Sequence, residues 1–293
     1  MSVGSKLKTI NKGLKTHPLT SNAAYKRKVI RRMLLWQMSK FRYGGGKEIE
    51  WINDCKLKVY PGRASATGNY YYGLLEYEPM SFAYHYINEE DVFFDVGANV
   101  GVYSVLAKAA TKVIAFEPAD DTRAVLQENF KINGIKGLIV PKGVSGKSGV
   151  MYFTQGNDCV NHIVTTGQTE DVISIEVVDL DSYVKESGVI PSIIKIDAEG
   201  AEGSIIEGAK DTFSDERLNV IIMEIFDDEK LSDMLVEKGF HLYRYEPKNR
   251  ELTPGTVATA GGTGIYIRDV EIARQRVSKG AEIIYRGDSL ASY

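Results

Sequence analysis

A short glycine-containing segment near residue 95 carries residue types whose spacing suggests a binding site. An apolar run ends at Asp95, Gly97 and Gly101 follow it, and a second apolar run ends at Glu117. Glycines in such a turn let a ligand approach the backbone, and an acid about twenty residues beyond the first glycine can bind ribose hydroxyls. The spacing therefore predicts a site for a cofactor that contains a nucleoside.

The residues of this loop also discriminate between nucleoside cofactors. A dinucleotide-binding loop has a middle glycine that lets the chain touch a pyrophosphate, and Asn99 stands at that position here. The Asp95 carboxylate would repel a pyrophosphate but can pair with an ammonium group. S-adenosylmethionine, which has an ammonium group and no phosphate, is therefore favoured over a nicotinamide dinucleotide. A purely structural turn with a capping Asp is the alternative, which the spacing to Glu117 disfavours.

Alternating elements must position these residues. Apolar runs predict strands at 91–95, 112–117, 138–142, 193–197, 219–225, 239–245 and 265–268. Helical patterns fall at 102–110, 121–133, 202–209, 228–238 and 269–279. Such alternation predicts a parallel sheet with helices on both faces. The middle differs, because predicted strands at 149–154 and 171–178 flank a polar loop that carries Asn161 and His162.

The first part of the chain is strongly basic. Residues 1–47 contain twelve Lys or Arg and no acid. A helix is predicted over 25–41, with apolar residues near one face at Val29, Ile30, Met33, Leu34, Trp36 and Phe41. A basic amphipathic helix can lie on an anionic membrane, but we favour packing of this face on the body of the protein or on a second subunit. The acidic remainder of the chain disfavours nucleic-acid binding.

Residues 48–90 lie between this arm and the sheet. A strand pair is predicted over 48–61 with a turn at 53–54, followed by an aromatic loop at 68–73 and a helix at 78–87.

The bulk composition of the whole chain is that of an ordinary globular protein, with 43% apolar and 26% charged residues. Two cysteines form no disulfide framework or metal-ligand pattern, which indicates a reducing, cytoplasmic setting. No apolar run suggests a transmembrane helix or a signal peptide.

Several segments together resemble the FkbM-type S-adenosylmethionine-dependent methyltransferases. They are Asp95–Ser104, Phe116–Pro118, Asn129 with Asn133, Gly143–Ser145 and Lys195–Glu202. The resemblance runs from about Tyr71 to Phe226, and the Lys-Ile-Asp-x-Glu-Gly-x-Glu segment at 195–202 is its most specific part. Ala198 stands where relatives often carry Val, and the Gly-Thr-Gly segment at 262–264 lacks an expected Asn.

The resemblance implies a fold, a donor and a reaction. The fold is an α/β class I methyltransferase, a Rossmann-like, doubly wound, mostly parallel seven-stranded sheet whose last strand is antiparallel. S-adenosylmethionine is the implied donor and S-adenosylhomocysteine the product. The implied reaction is O-methylation of hydroxyls on sugars or natural products. The predicted segments are a basic helical arm at 1–47, an extension or lid at 48–90, the methyltransferase domain at 91–268 and a C-terminal helix and tail at 269–293.

Open parallel sheets bind ligands beyond the carboxyl ends of their strands, where these residues should converge. Asp95 is predicted to orient the donor's ammonium group directly or through water, Glu117 to bind the ribose, and Val144 and Ser145 to lie near the adenine. The full predicted donor-binding set is Asp95, Gly97, Ala98, Asn99, Gly101, Tyr103, Glu117, Pro118, Val144, Ser145 and Asp197.

Methyl transfer to a hydroxyl needs a group that removes the proton. The candidates are Asp197, which is the better placed, His162, whose ordinary pKa is the more suitable, and Glu199. An exposed loop position for His162 and helix capping by Glu199 and Glu202 are the structural alternatives, and for Glu202 we favour capping. The predicted acceptor contacts are Tyr71, Tyr72, Glu76, Asn161, His162 and Glu224.

The sequence thus predicts an O-methyltransferase that acts on a sugar, a glycan such as a polysaccharide, or a glycosylated precursor. No metal ligands are predicted, and a homo-oligomer is compatible with the sequence. The alternatives are a nicotinamide-dependent oxidoreductase and a non-catalytic, membrane-associated binding protein on the same fold.

Overall fold

The computed structural model describes residues 13–39, 45–61, 63–154, 163–164, 172–198, 200–225, 229–259 and 262–293. Its helices are α1 (Ala23–Ser39), α2 (Ala64–Tyr72), α3 (Tyr77–Tyr86), α4 (Val102–Leu106), α5 (Asp120–Asn133), α6 (Leu180–Ser187), α7 (Glu202–Gly208), α8 (Lys210–Ser214), α9 (Glu229–Val236) and α10 (Val270–Lys279). Short 3₁₀ turns occur at Pro18–Ser21, Ala107–Ala109, Val257–Thr259 and Leu290–Ser292.

The strands belong to a central sheet and to three smaller sheets. They are β1 (Lys47–Glu50), β2 (Lys56–Val59), β3 (Val92–Val96), β4 (Lys112–Phe116), β5 (Gly137–Val140), β6 (Gly143–Val144), β7 (Gly149–Thr154), β8 (Ile163–Val164), β9 (Val172–Val178), β10 (Ile193–Ile196), β11 (Val220–Glu224), β12 (His241–Glu246), β13 (Glu251–Pro254), β14 (Thr263–Ile267), β15 (Ile284–Tyr285) and β16 (Asp288–Ser289).

The central sheet has the strand order β13-β12-β14-β11-β10-β3-β4-β5. Strands β5, β4, β3, β10 and β11 pair in parallel, whereas β14 runs antiparallel between β11 and β12. The expected sheet with an antiparallel last strand is therefore confirmed, and β13 extends it as a hairpin with β12. The order reverses at β3, which lies between β10 and β4, and such a switch point is where open α/β sheets bind ligands.

Both faces of the sheet are apolar, which explains the unbroken hydrophobic runs in the sequence. Phe93 and Phe94 are both fully buried, but they belong to different apolar clusters because successive strand residues point to opposite faces. The cluster that contains Phe93 also includes residues of α1, α2, α3 and α10. Helix packing on both faces holds the carboxyl ends of β3 and β4 in place.

A second sheet follows β5 in the chain. Its order is β6-β9-β7-β8, and β7 pairs with β9 in antiparallel register over the whole of the predicted strand at 149–154. Most of the predicted polar loop between β7 and β9, at residues 155–162 and 165–171, lies outside the described residues.

The aromatic loop was predicted wrongly, and helix α6 was not predicted. The predicted aromatic loop at 68–73 is the second half of helix α2, which ends at Gly73 with φ +81°. Its tyrosines are buried, so tertiary packing stabilises a helix that Gly68 and the aromatic residues disfavour locally. Helix α6 was missed, although Asp179 caps it by accepting from the Ser182 amide, because only Leu180 of this helix is fully buried.

The basic helix α1 packs on the body of the protein, as favoured. Tyr25, Val29 and Trp36 are almost fully buried in the shared apolar cluster. Ile30 and Leu34 were wrongly placed on this face: they are 38% and 60% exposed, since each lies about 100° further round the helix than the buried residue before it.

In the part of the chain that the structure describes, no helix combines the length and the apolar character needed to cross a membrane.

Candidate functional site

The loops that leave β3 and β10 touch at Gly97. This residue has φ +71°, and a Cβ atom on it would lie 1.8 Å from the carbonyl oxygen of Asp197. The Asp197 amide in turn donates to the Val96 carbonyl at 3.1 Å. Only glycine satisfies both the backbone conformation and the close approach. Gly97 therefore brings the glycine loop into contact with the end of β10.

The amides of residues 98–101 all donate within the chain. Their acceptors are, in order, the Phe116 carbonyl, the Glu117 carboxylate, the Asn99 side chain and the Ala98 carbonyl, at 3.0, 2.9, 2.8 and 2.8 Å. A phosphate-binding loop instead presents free amides to its ligand. The geometry of this loop therefore argues against a pyrophosphate, as the sequence suggested.

Glu117 is a buried carboxylate at the end of β4. Its two oxygens accept from the amides of Asn99 and Ala119, each at 2.9 Å. Burial raises the pKa of Glu117 to about 7, against the opposing effect of these two amides. Each carboxylate oxygen keeps a further lone pair. Glu117 can therefore accept hydrogen bonds from two neighbouring ribose hydroxyls.

The raised pKa of Glu117 predicts a pH-dependent affinity for a ribose-containing ligand. The ionised carboxylate is the stronger acceptor, so affinity should fall as the pH drops through about 7. We expect the affinity for S-adenosylmethionine to fall roughly tenfold from about pH 8 to about pH 6. Calorimetric titration across this range measures it, and Glu117→Gln should give a weaker affinity that lacks this tenfold fall. A pH-independent affinity of the unaltered protein would contradict the assigned role.

Asp95, at the end of β3, is a buried carboxylate with one unsatisfied oxygen. Its Oδ2 accepts from the Ser104 amide at 2.9 Å and from the Ser104 hydroxyl at 2.6 Å. Its Oδ1 has no hydrogen-bond partner among the described residues. Burial raises the pKa of Asp95, and the Lys195 charge opposes that shift. An orphaned carboxylate oxygen beside the glycine loop suits the ammonium group of a ligand.

Lys195 and Asp197 form an ion pair at the end of β10. The Lys195 Nζ donates to Asp197 Oδ2 at 2.7 Å and lies 5.3 Å from the centre of the Tyr103 ring. Burial lowers the pKa of Lys195, but the charges of Asp197 and Asp95 outweigh burial and raise it above its ordinary value. Whereas Lys195 is buried, the Asp197 side chain is 39% exposed. Lys195 thus orients a carboxylate that a second substrate can reach.

Polar side chains from distant parts of the chain meet beside this pair. Glu76, which precedes α3, accepts from the Tyr103 hydroxyl at 2.9 Å and also from the Thr263 hydroxyl. Thr263 is the register partner of Glu224, at the end of β11. The structure therefore brings the predicted residues Tyr103, Glu76 and Glu224 to one edge of the sheet.

Four further predicted site residues lie on α2 and in or next to β6. Tyr71 and Tyr72 are buried in the N-terminal packing, where the Tyr72 ring stacks on His17 with their centres 4.5 Å apart. Val144 and Ser145 lie in or next to β6, both buried, and the Ser145 amide donates to the Val178 carbonyl.

The remaining positions divide into turns, caps and residues that are not described. The Pro118 carbonyl accepts from Arg123 at 2.8 Å. Glu202 lies in the first turn of α7 and accepts from the amides of Ala198 and Gly200 in the preceding loop, so its side chain has a structural role there, and helix capping stays a prediction. Asn161, His162 and Glu199 lie outside the described residues. Within the described ranges, no group of three or more His, Cys, Asp or Glu residues is placed to hold a metal ion.

Several residues of the site were missed as functional positions. Ser104 holds Asp95, Arg123 binds the 117–118 turn, and Thr263 holds Glu76. Lys195 was noted only as part of a motif, although its spacing of two residues from Asp197 could have indicated an ion pair. The roles of Ser104 and Thr263 depend on contacts that no local pattern reveals.

Comparisons with known proteins agree with this arrangement. Residues 95–250 match the family model described as the Methyltransferase FkbM domain. This match starts and ends later in the chain than the predicted resemblance from Tyr71 to Phe226. It includes the glycine loop, Glu117 and the Lys195–Glu202 segment, and it covers more than half of the chain.

Two curated relatives are similar over part of the chain. The hexuronic acid methyltransferase AglP of Haloferax volcanii is 33% identical over 143 residues, which are 47% of this chain and 56% of that protein. The chain thus spans a little over half the length of AglP. The 31-O-demethyl-FK506 methyltransferase FkbM of Streptomyces tacrolimicus is 24% identical over 202 residues, covering 57% of this chain and 77% of that protein.

Among solved structures, the crystal structure of methyltransferase FkbM from Methylobacillus flagellatus KT aligns with a TM-score of 0.42 and 15% identity. The alignment covers 82% of this chain and 59% of that one.

Proposed function

The chain belongs to the FkbM methyltransferase family, and on that premise we propose that it transfers a methyl group from S-adenosylmethionine to a hydroxyl of a sugar, a glycan such as a polysaccharide, or a glycosylated precursor. The observation that carries the choice of donor is the loop at 97–101. Its amides at 98–101 are used within the chain, and it lies beside a buried carboxylate oxygen that has no partner among the described residues. This combination suits a donor that has an ammonium group and no phosphate.

The residues at the carboxyl ends of β3 and β4 fit the two ends of this donor. Asp95 binds the ammonium group, directly or through water, and the loop at 97–101 packs along the amino-acid moiety. Glu117 accepts from the ribose hydroxyls, and Tyr103 and Pro118 are proposed as further donor contacts. Val144 and Ser145 remain our proposal for the adenine end, because β6 begins shortly after β5.

Asp197 is our proposed general base. The donor supplies an electrophilic methyl group on a sulfonium sulfur. As the acceptor oxygen forms its bond to that methyl carbon and the carbon–sulfur bond breaks, the hydroxyl proton becomes strongly acidic and passes to the Asp197 carboxylate. A carboxylate is a weak base, and a weak base suffices for such an acidic proton. Glu199 and His162 stay as alternative proposals.

Carboxylates beside Asp197 support a hydroxyl-rich acceptor. Glu76 and Glu224 reach the same sheet edge, and carboxylates accept hydrogen bonds from sugar hydroxyls. AglP is named a hexuronic acid methyltransferase, which supports a sugar as the acceptor class. Asn161 and His162 are proposed as further acceptor contacts. The chain has two cysteines that form no disulfide framework, which supports action in the reducing cytoplasm.

The acceptor proposal is tested with methyl-labelled S-adenosylmethionine and carbohydrate fractions of the source organism. We expect label in a sugar product that survives mild alkali, because a methyl ether is stable where a methyl ester is hydrolysed. Label that alkali releases would show transfer to a carboxyl group and contradict the hydroxyl assignment. Absence of any labelled carbohydrate would overturn the proposed acceptor class. Reactions without the protein give the background.

A further inference from the structure

The face of α1 that points away from the body is both apolar and basic. We define the outer α1 face as Arg27, Ile30, Arg31, Leu34, Leu35 and Met38. All six are exposed, and the apolar members Ile30, Leu34, Leu35 and Met38 are 38%, 60%, 46% and 79% exposed. Tyr25, Val29 and Trp36 bury the opposite face, so α1 is a fixed helix whose outer side chains are presented to the surroundings.

Among the residues that the structure describes, this concentration of exposed apolar side chains occurs only on α1. The other large hydrophobic residues that are exposed in the described part of the chain are Leu75, Leu138, Val150, Val236 and Ile272, and no two of them share a helix or strand. Single exposed hydrophobic residues are normal on protein surfaces, whereas a group on one helix marks an interaction site. The outer α1 face is therefore a candidate interaction surface.

Charge indicates what this surface contacts. Residues 1–47 carry twelve Lys or Arg and no acid, whereas the rest of the chain has 36 - 12 = 24 basic residues against 39 acids. The excess of basic over acidic residues thus lies in the arm, where Arg27 and Arg31 lie among the apolar side chains. Pairing α1 with α1 of a second copy would bring these arginines against each other, which is unfavourable. A surface that is anionic outside and apolar beneath matches both the basic and the apolar side chains of the outer α1 face.

We propose that the outer α1 face docks on an anionic lipid membrane. The helix lies in the plane of the interface, where Leu34 and Met38 insert below the headgroups and Arg27 and Arg31 contact lipid phosphates. The tightly packed inner face keeps α1 on the body during docking, so the whole protein is held at the membrane surface. This proposal is independent of the methyl donor and the acceptor.

Vesicle sedimentation of the full-length chain, without donor or acceptor, tests the docking. We expect binding to vesicles of phosphatidylcholine with about one third phosphatidylglycerol, weaker binding at high salt, and little binding to pure phosphatidylcholine. The double variant Leu34→Ser/Met38→Ser should lower the partition coefficient about tenfold. Arg27→Gln/Arg31→Gln should lower it about fivefold per charge removed. Leu138→Ser, at an exposed leucine on β5, is the matched control and should bind as the unaltered protein does.

Three results would overturn the docking. The first is no binding of the unaltered protein to anionic vesicles. The second is binding by both double variants that equals that of the unaltered protein. The third is light scattering that shows a dimer in solution which Leu34→Ser/Met38→Ser dissociates. The last result would assign the face to a second copy of the chain. Thermal melting checks that each variant is folded. If Leu34→Ser/Met38→Ser does not fold, vesicle binding by Arg27→Gln/Arg31→Gln still tests the docking.

Discussion

Asp197→Asn is expected to lower kcat by about 10²- to 10⁴-fold while the affinity for S-adenosylmethionine changes only a few-fold. Asparagine keeps an oxygen that can accept from Lys195, so the buried ammonium remains hydrogen-bonded, but it has no carboxylate to take the acceptor proton. Turnover with labelled donor measures the first effect, and calorimetric titration of the donor measures the second. The change therefore separates the chemical step from donor binding.

Asp215→Asn is the matched control for this substitution. Asp215 is also paired with a basic residue two positions away, Arg217, but on the surface of the protein. Its substitution should leave kcat unchanged. If Asp197→Asn keeps kcat within threefold of the unaltered protein, Asp197 is not the general base, and Glu199 or His162 must take that role.

Asp95→Asn is expected to weaken the binding of S-adenosylmethionine by at least about 30-fold, or about 2 kcal/mol. The asparagine oxygen can still accept both bonds from Ser104, so the loop keeps its geometry. What is lost is the negative charge opposite the donor's ammonium group, and an amide nitrogen takes the place of the unsatisfied oxygen. Calorimetric titration at a pH above 7, where Glu117 is ionised, measures the change.

Asp91→Asn provides the control at the other end of the same strand. Asp91 is also fully buried, and both its oxygens bind Arg276, at 2.8 and 2.9 Å. Breaking this pair should lower the melting temperature, at a cost of about 3 kcal/mol, without changing donor affinity. If Asp95→Asn binds the donor as tightly as Asp91→Asn does, the assignment of Asp95 to the ammonium group fails.

The parallel sheet and the donor side of the site were predictable because they depend on local patterns. Runs such as Val92–Val96 are apolar on both faces, which is typical of a strand covered on both sides. Asp95 and Glu117 end two such strands, and parallel pairing places strand ends at the same edge. Residue type and spacing within about twenty-five positions were sufficient for this half of the site.

The proposed acceptor side of the site depends on contacts between distant segments. Glu76 and Thr263 are 187 positions apart, and only the antiparallel insertion of β14 brings them together. The tyrosines of α2 were assigned to a loop because their burial against α1 is a tertiary contact that the local sequence does not show. Helix α1 itself was predicted, but its apolar residues cover more than one face, so the sequence did not distinguish the packed side from the exposed side.

Calorimetric titration of the full-length chain with S-adenosylmethionine, in parallel with NADH, tests the central claim most directly. The site at the ends of β3 and β4 predicts one S-adenosylmethionine per chain, with a Kd in the micromolar range of about 1–100 μM, and no heat of binding for NADH. Binding of NADH, or no binding of S-adenosylmethionine at a pH near 8, would contradict the account.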